Sequence, residues 1–168
     1  MIFAIDPGQA GGLAWAFKNG RLNIWTSKME KTPADIYNQI KGIRDAESEP
    51  FCYIERVGGY MPGNSGPAAV KFAKHCGHLE MALIALGIPY IEVLPSKWQH
   101  EFIGKPNYPK IPKEIQGASR KQILAKRKQE RKNKIKAKAQ ALFPYLKITL
   151  ATADALGILY YGLKQSGK

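Results

Sequence analysis

Met1-Ile2-Phe3-Ala4-Ile5-Asp6-Pro7-Gly8-Gln9-Ala10-Gly11-Gly12 opens the chain, and its reading decides the fold. Ile2 to Ile5 is an apolar run of the kind a buried strand needs. It ends on an acid, and Pro7-Gly8 then breaks the strand. A carboxylate at the end of a central strand, beside a Gly-rich turn, stands where a metal ion or a phosphate can approach the backbone. The alternative is a plain strand and hairpin in which Asp6 merely starts the turn. The choice depends on whether the rest of the chain supplies partners for Asp6.

Outward from that stretch, Gly12 to Lys18 alternates large apolar and small residues, Asn19-Gly20 is a strong hairpin signal, and Arg21 to Thr26 returns. The first three strands are therefore antiparallel, with Trp15 and Trp25 expected in the core. Thr32-Pro33-Ala34-Asp35 marks a helix start: Thr32 caps, Pro33 takes the first position and Asp35 the capping-box position. Ile36, Ile40 and Ile43 give that helix one apolar face. Phe51 to Ile54 is a second buried strand, and it too runs into an acid, Glu55. Gly58 to Pro67, rich in Gly and Pro, is a loop with an apolar tip, Tyr60-Met61.

A helix from about Ala68 to Leu86 follows, closed by Gly87 and Pro89. Tyr90 to Leu94 is a short strand, and Pro95-Ser96 starts a brief helix whose Trp98 is expected to pack inward. Gly104 to Gly117, with three prolines, is a surface excursion. Ser119-Arg120-Lys121-Gln122 reads as a capping box opening a basic helix to about Leu142. The last helix, Thr152 to about Lys164, carries Asp154 in its first turn. The expected fold class is α/β: a mixed five-stranded sheet flanked by helices, with a basic helical segment before the last helix.

The 168 residues fit one domain, 1–168, including a basic loop and helix at 104–142. No apolar run reaches membrane-spanning length, no signal peptide is evident, and Cys52 and Cys76 read as reduced core residues. A cytoplasmic protein is the default. The charge is more informative. Lys105 to Lys138 holds thirteen Lys/Arg and two acids, a net +11 of the chain's +13. Such a block calls for a polyanion, and nucleic acid is favoured over a membrane because no large apolar face accompanies it. Tyr60-Met61, with Gly and Pro on both sides, has little to pack on and is expected to touch DNA.

Two buried strands that each end in a carboxylate, and a third carboxylate opening the last helix, can converge in such a layout. Brought within about 5 Å they would repel unless a divalent cation sat between them. Metal-dependent phosphoryl-transfer nucleases use acids in that way.

The sequence also resembles a known family. Ile5-Asp6-Pro7-Gly8, Tyr53-Ile54-Glu55-Arg56-Val57 and Ala153-Asp154-Ala155-Leu156 are similar to the three active-site motifs of the RuvC family of Holliday junction resolvases. Met61-Pro62-Gly63, Lys71-Phe72, Leu86-Gly87-Ile88-Pro89-Tyr90, Pro95-Ser96-Lys97-Trp98 and Leu142-Phe143-Pro144 follow the order of the phage-encoded members. The resemblance spans nearly the whole chain, and for a phage-encoded member the cytoplasm would be that of the host cell. It implies an RNase H-like fold, a homodimer joined largely through helix 68–86, and paired nicking of four-way and other branched DNA with Mg²⁺ or Mn²⁺. Asp6, Glu55 and Asp154 would be metal ligands, and Lys132 or Lys97 would stabilise charge at the scissile phosphate. DNA contacts are expected from Tyr60, Met61, Lys71, Lys97, Arg120, Lys121, Arg127, Lys128, Arg131, Lys132 and Lys134.

The pattern departs at one point. Where the family carries a fourth ligand, an Asp or His just before the last acid, this chain reads Thr149-Leu150-Ala151-Thr152-Ala153. One metal then suffices, or Glu80, His78 or Thr152 fills in, or the residue has been altered by engineering, or the protein binds junctions and cuts poorly. A third class, an actin-like nucleotide-binding protein, shares the strand–Asp–Gly opening but suits neither the length nor the basic block.

Overall fold

The apolar run at the N-terminus forms the central strand of a five-stranded sheet in the computed structural model, which describes residues 1–19, 21–46, 49–58 and 65–167. In chain order the elements are β1 (Ile2–Asp6), β2 (Gly12–Asn19), β3 (Arg21–Lys28), α1 (Pro33–Asp45), β4 (Phe51–Glu55), α2 (Gly66–Ala85), β5 (Tyr90–Val93), α3 (Pro95–Ile103), α4 (Gly117–Leu142) and α5 (Leu150–Ser166). The sheet order is β3-β2-β1-β4-β5. β1–β2 and β2–β3 pair antiparallel, whereas β1–β4 and β4–β5 pair parallel. The expected mixed sheet with three antiparallel leading strands is present.

Period-two alternation sorts the side chains onto two faces. Phe3, Ile5, Leu13, Cys52 and Ile54 pack with α1 and α2 through Ile36, Ile40, Leu79 and Leu83. Ala4, Ala14, Ala16, Tyr53 and Val93 face the other way, onto α3, α4 and α5. The small residues on this second face let α5 lie close against β1 and β2. A Cβ on Gly12 would stand 2.7 Å from the carbonyl oxygen of Ala151, so the approach there depends on glycine.

Several boundaries differ from the sequence reading. α5 begins at Leu150 because Thr149 and Thr152 form the capping box: the Thr149 backbone N–H donates to Thr152 Oγ1 at 3.1 Å. Asp154 thus lies beyond the first turn. α4 begins at Gly117 with no side-chain cap, so Ser119 is already inside the helix and its capping box does not form. α2 starts at Gly66, and β3 runs on to Lys28. Trp25 is not core. It is 42% exposed on an edge strand, with its ring edge-on to Phe17 at 5.2 Å. The Thr32 cap is as expected, its hydroxyl accepting from the Asp35 backbone N–H at 3.2 Å. The hairpin tip Gly20 and the loop tip Tyr60-Met61 lie outside the described residues.

α3 is locked to α5 by one ring. Trp98 is fully buried, and a Cβ added at Gly157 would come within 2.5 Å of its Cζ3. A clash with a ring held on all sides is not relieved by a small shift. Gly157→Ala is expected to destabilise the protein by about 1–3 kcal/mol, lowering Tm by several degrees in a thermal melt.

Candidate active site

Asp6 and Glu55 arrive side by side because of the parallel pairing. Ile5 is in register with Ile54, so the last residues of β1 and β4 end together at the carboxyl edge of the sheet. Ligands in α/β folds commonly bind at that edge. Alternation then decides the direction. Asp6 follows the phase of Ala4 and Glu55 that of Tyr53, which turns both carboxylates toward the face covered by α3, α4 and α5. Asp154 comes from α5, the helix packed on β1 and β2.

The three acids act on one another. Burial holds the Asp6 carboxyl well above the usual carboxylate range, and the neighbouring charges of Asp154 and Glu55 push it further up. Burial also raises Glu55, with Asp154 adding to the shift, and it raises Asp154. Against this, Lys132 favours the ionised form of all three. Arg131 does the same for Glu55 and Asp154, and Lys128 for Asp154. These cations share a face of α4: Lys128, Arg131, Lys132, Ile135 and Ala139 fall at helical spacing, and the last two are buried in the core.

Glu55 has a partner that the sequence reading missed. The Trp98 indole Nε1–H donates to Glu55 Oε2 at 2.7 Å. An indole N–H is a donor only, so a buried Trp needs an acceptor. The sequence placed Trp98 inward without saying which acceptor it meets, because that depends on α3 lying beside the end of β4. A cavity of about 300 Å³ opens on the α2 side of Glu55, walled by Phe72, Ala73, Cys76 and Glu80 among others.

The donor chemistry suits a hard divalent cation: carboxylate oxygens, partly desolvated and mutually repelling. The spacing is looser than expected. Among the described residues no group of three or more His, Cys, Asp or Glu side chains stands close enough to hold an ion. The carboxylates act on one another electrostatically without forming, as they stand, a group able to hold an ion.

Of the possible fourth ligands, Thr152 is buried and engaged in its cap. His78 is exposed on α2, and Glu80 borders the cavity that Glu55 shares. Lys71, Lys97, Arg120, Lys121 and Lys134 are exposed, on α2, α3 and α4 respectively. Arg127 is drawn to residues 104–116: its Nη2 donates to the Pro109 carbonyl at 2.7 Å.

The fold and the carboxylate cluster define the class: an RNase H-like α/β fold with acids at the carboxyl edge of its sheet. Comparison with solved structures agrees. Thermus thermophilus RuvC in complex with a Holliday junction substrate matches with a TM-score of 0.59 at 15% identity, covering 94% of this chain and 89% of that one. A second Thermus thermophilus RuvC structure matches with a TM-score of 0.51 at 14% identity, over 99% and 96% of the two chains. The chain therefore has the RuvC-type fold. No protein-family model matches the sequence, and no curated protein matches it.

The raised Asp6 pKa carries a stability consequence. An acid whose folded value lies above its ordinary 3.8 destabilises the fold when ionised. That penalty is absent below the ordinary value and complete above the folded one, so stability falls as pH rises between them. Asp6→Asn in EDTA is expected to flatten this slope and raise Tm at neutral pH by about 2–4 °C, the equivalent of roughly 1 kcal/mol in a chain of this size. Thermal melts from pH 4 to 8 read it, and an unchanged or lower Tm at neutral pH would contradict it.

Proposed function

We propose that this chain is a metal-dependent, structure-selective DNA endonuclease that resolves four-way junctions and other branched DNA by paired nicks. The observation that carries the reading is the gathering of Asp6, Glu55 and Asp154, from two strand ends and a helix, beside Lys132 on the cationic face of α4. Support comes from the fold, which is that of a RuvC captured with its Holliday junction substrate.

In this reading Asp6, Glu55 and Asp154 would hold Mg²⁺ or Mn²⁺, and the ion would supply Lewis-acid chemistry for phosphodiester hydrolysis. The chain's own residues do the rest. Trp98 orients the Glu55 carboxylate. Lys132, whose charge acts on all three acids, supplies a compact cation for the scissile phosphate. Arg120, Lys121, Lys128, Arg131 and Lys134, with Lys97 on α3 and Lys71 on α2, take the DNA backbone. Tyr60 and Met61 approach the junction centre.

Two opposed cuts call for two sites related by a two-fold axis, so we assign a homodimer. α2 has the surface for it. Val70, Met81 and Ile84 are 57%, 59% and 60% exposed, and Val70, Gly77 and Ile84 recur at seven-residue spacing along one face. Ile84→Asp is expected to shift the protein from dimer to monomer by about 10-fold or more in dissociation constant, read by analytical ultracentrifugation.

A second reading, a junction-binding protein that cuts poorly, is favoured by the sequestered Thr152 hydroxyl and by the open spacing of the acids. Labelled junctions incubated with Mg²⁺ or Mn²⁺ separate the two. The nuclease gives symmetric nicks that fall at least about 100-fold in Asp6→Asn. Intact junctions in both metals, with tight binding retained, would select the second reading.

A further inference from the structure

Residues 104–116 do not trail from the molecule; they are fastened along α4. The Tyr108 hydroxyl donates to the Arg127 carbonyl at 3.2 Å, and Arg127 Nη2 donates to the Pro109 carbonyl at 2.7 Å. The Arg127 guanidinium also lies over the Tyr108 ring, 5.0 Å from its centroid. Ile111 and Ile115 are half-buried, and a turn from Pro112 to Ile115 is closed by the Ile115 N–H on the Pro112 carbonyl at 3.2 Å. Gly104, at φ +77, breaks the chain out of α3 into this segment. The strap is thus built at both ends and pinned in the middle.

What the pin holds in place is positive charge. Lys105, Lys110 and Lys113 are exposed on the strap. The carbonyl that Arg127 binds belongs to the peptide bond that enters Lys110, so the latch sets that lysine beside a helix already carrying Arg127, Lys126 and Lys128. Gathering like charges costs energy in the free protein and is offset when a polyanion lies across them. Arg127, which the sequence marked as a DNA contact, spends part of its fork on the strap.

Position along α4 gives the scale. Arg127 lies five residues before Lys132, and Gly117, where α4 begins, lies fifteen before it, or about 7 and 22 Å at the α-helical rise. In a duplex that corresponds to phosphates about two to seven base pairs away. We infer that the Tyr108–Arg127 latch holds Lys105, Lys110 and Lys113 as a second phosphate track, gripping the duplex arm that leads away from the carboxylate site. The inference rests on the branched-DNA reading above and adds an arm-binding surface to it.

The test measures four-way junction binding by fluorescence anisotropy in EDTA across a salt series. Lys105→Ala/Lys110→Ala/Lys113→Ala is expected to reduce the log–log salt slope by about 2–3 and to weaken binding about 10- to 100-fold near physiological salt. Arg127→Lys keeps the charge but loses the carbonyl bond geometry and the ring stacking, and is expected to weaken binding in the same direction. Neutral methylphosphonates placed about two to seven base pairs from the cleavage position should weaken wild type but add little to the loss in the triple variant.

An unchanged salt slope in the triple variant, or a neutral patch that costs both proteins equally, would overturn the strap while wild-type binding stood. Wild-type protein that bound no junction would overturn the branched-DNA reading, and the strap with it.

Discussion

Gathering three half-buried carboxylates at one edge of a sheet is the constraint around which this molecule is arranged. Each acid taken from water resists ionisation, and proximity compounds the cost for Asp6 above all. The fold answers with cations from one direction. Lys132 acts on all three acids, Arg131 on two and Lys128 on one, all from α4. α4 can supply them because Ile135 and Ala139, further along the same face, are anchored in the core beside α5. Core packing and site electrostatics are thus two halves of one helix face.

The same coupling recurs at Trp98. Its ring fills the space between α3 and α5, and its indole N–H is the donor that Glu55 receives. A residue whose bulk makes it look purely structural therefore fixes the orientation of an acid at the candidate site. Gly157 belongs to this arrangement as well, since the ring stands where a side chain at that position of α5 would project. The order of α3, α4 and α5 over one face of the sheet, with α1 and α2 over the other, also leaves α2 with an exposed apolar stripe.

Much of this was legible in the order of residues. Asp6 and Glu55 were readable because each ends an apolar run, and a buried strand cannot easily hide a charge except at its end. The basic helix was readable from composition alone, and the Thr32–Asp35 cap from its spacing. The α5 start was not, because a Thr–Thr box lacks the usual Glu or Gln. Trp25 was misplaced because hydrophobicity does not say which strand becomes an edge. The engagement of Arg127 with residues 104–116 was hidden for a similar reason: nothing within a basic run says that Tyr108 and Pro109 will lie against one of its guanidinium groups.

The sequence alone determined which residues could do chemistry and which segments would be buried, because strand phase, caps and charge blocks are local properties. Tertiary structure decided which of them meet. Parallel pairing of β1 with β4 put Ile5 opposite Ile54 and so brought Asp6 level with Glu55. Packing of α5 on the small residues of β1 and β2 added Asp154, and the phase of α4 chose Lys132 from among thirteen cations in its region. Register and packing are non-local, set by contacts between residues far apart in the chain, and no spacing within a single segment encodes them.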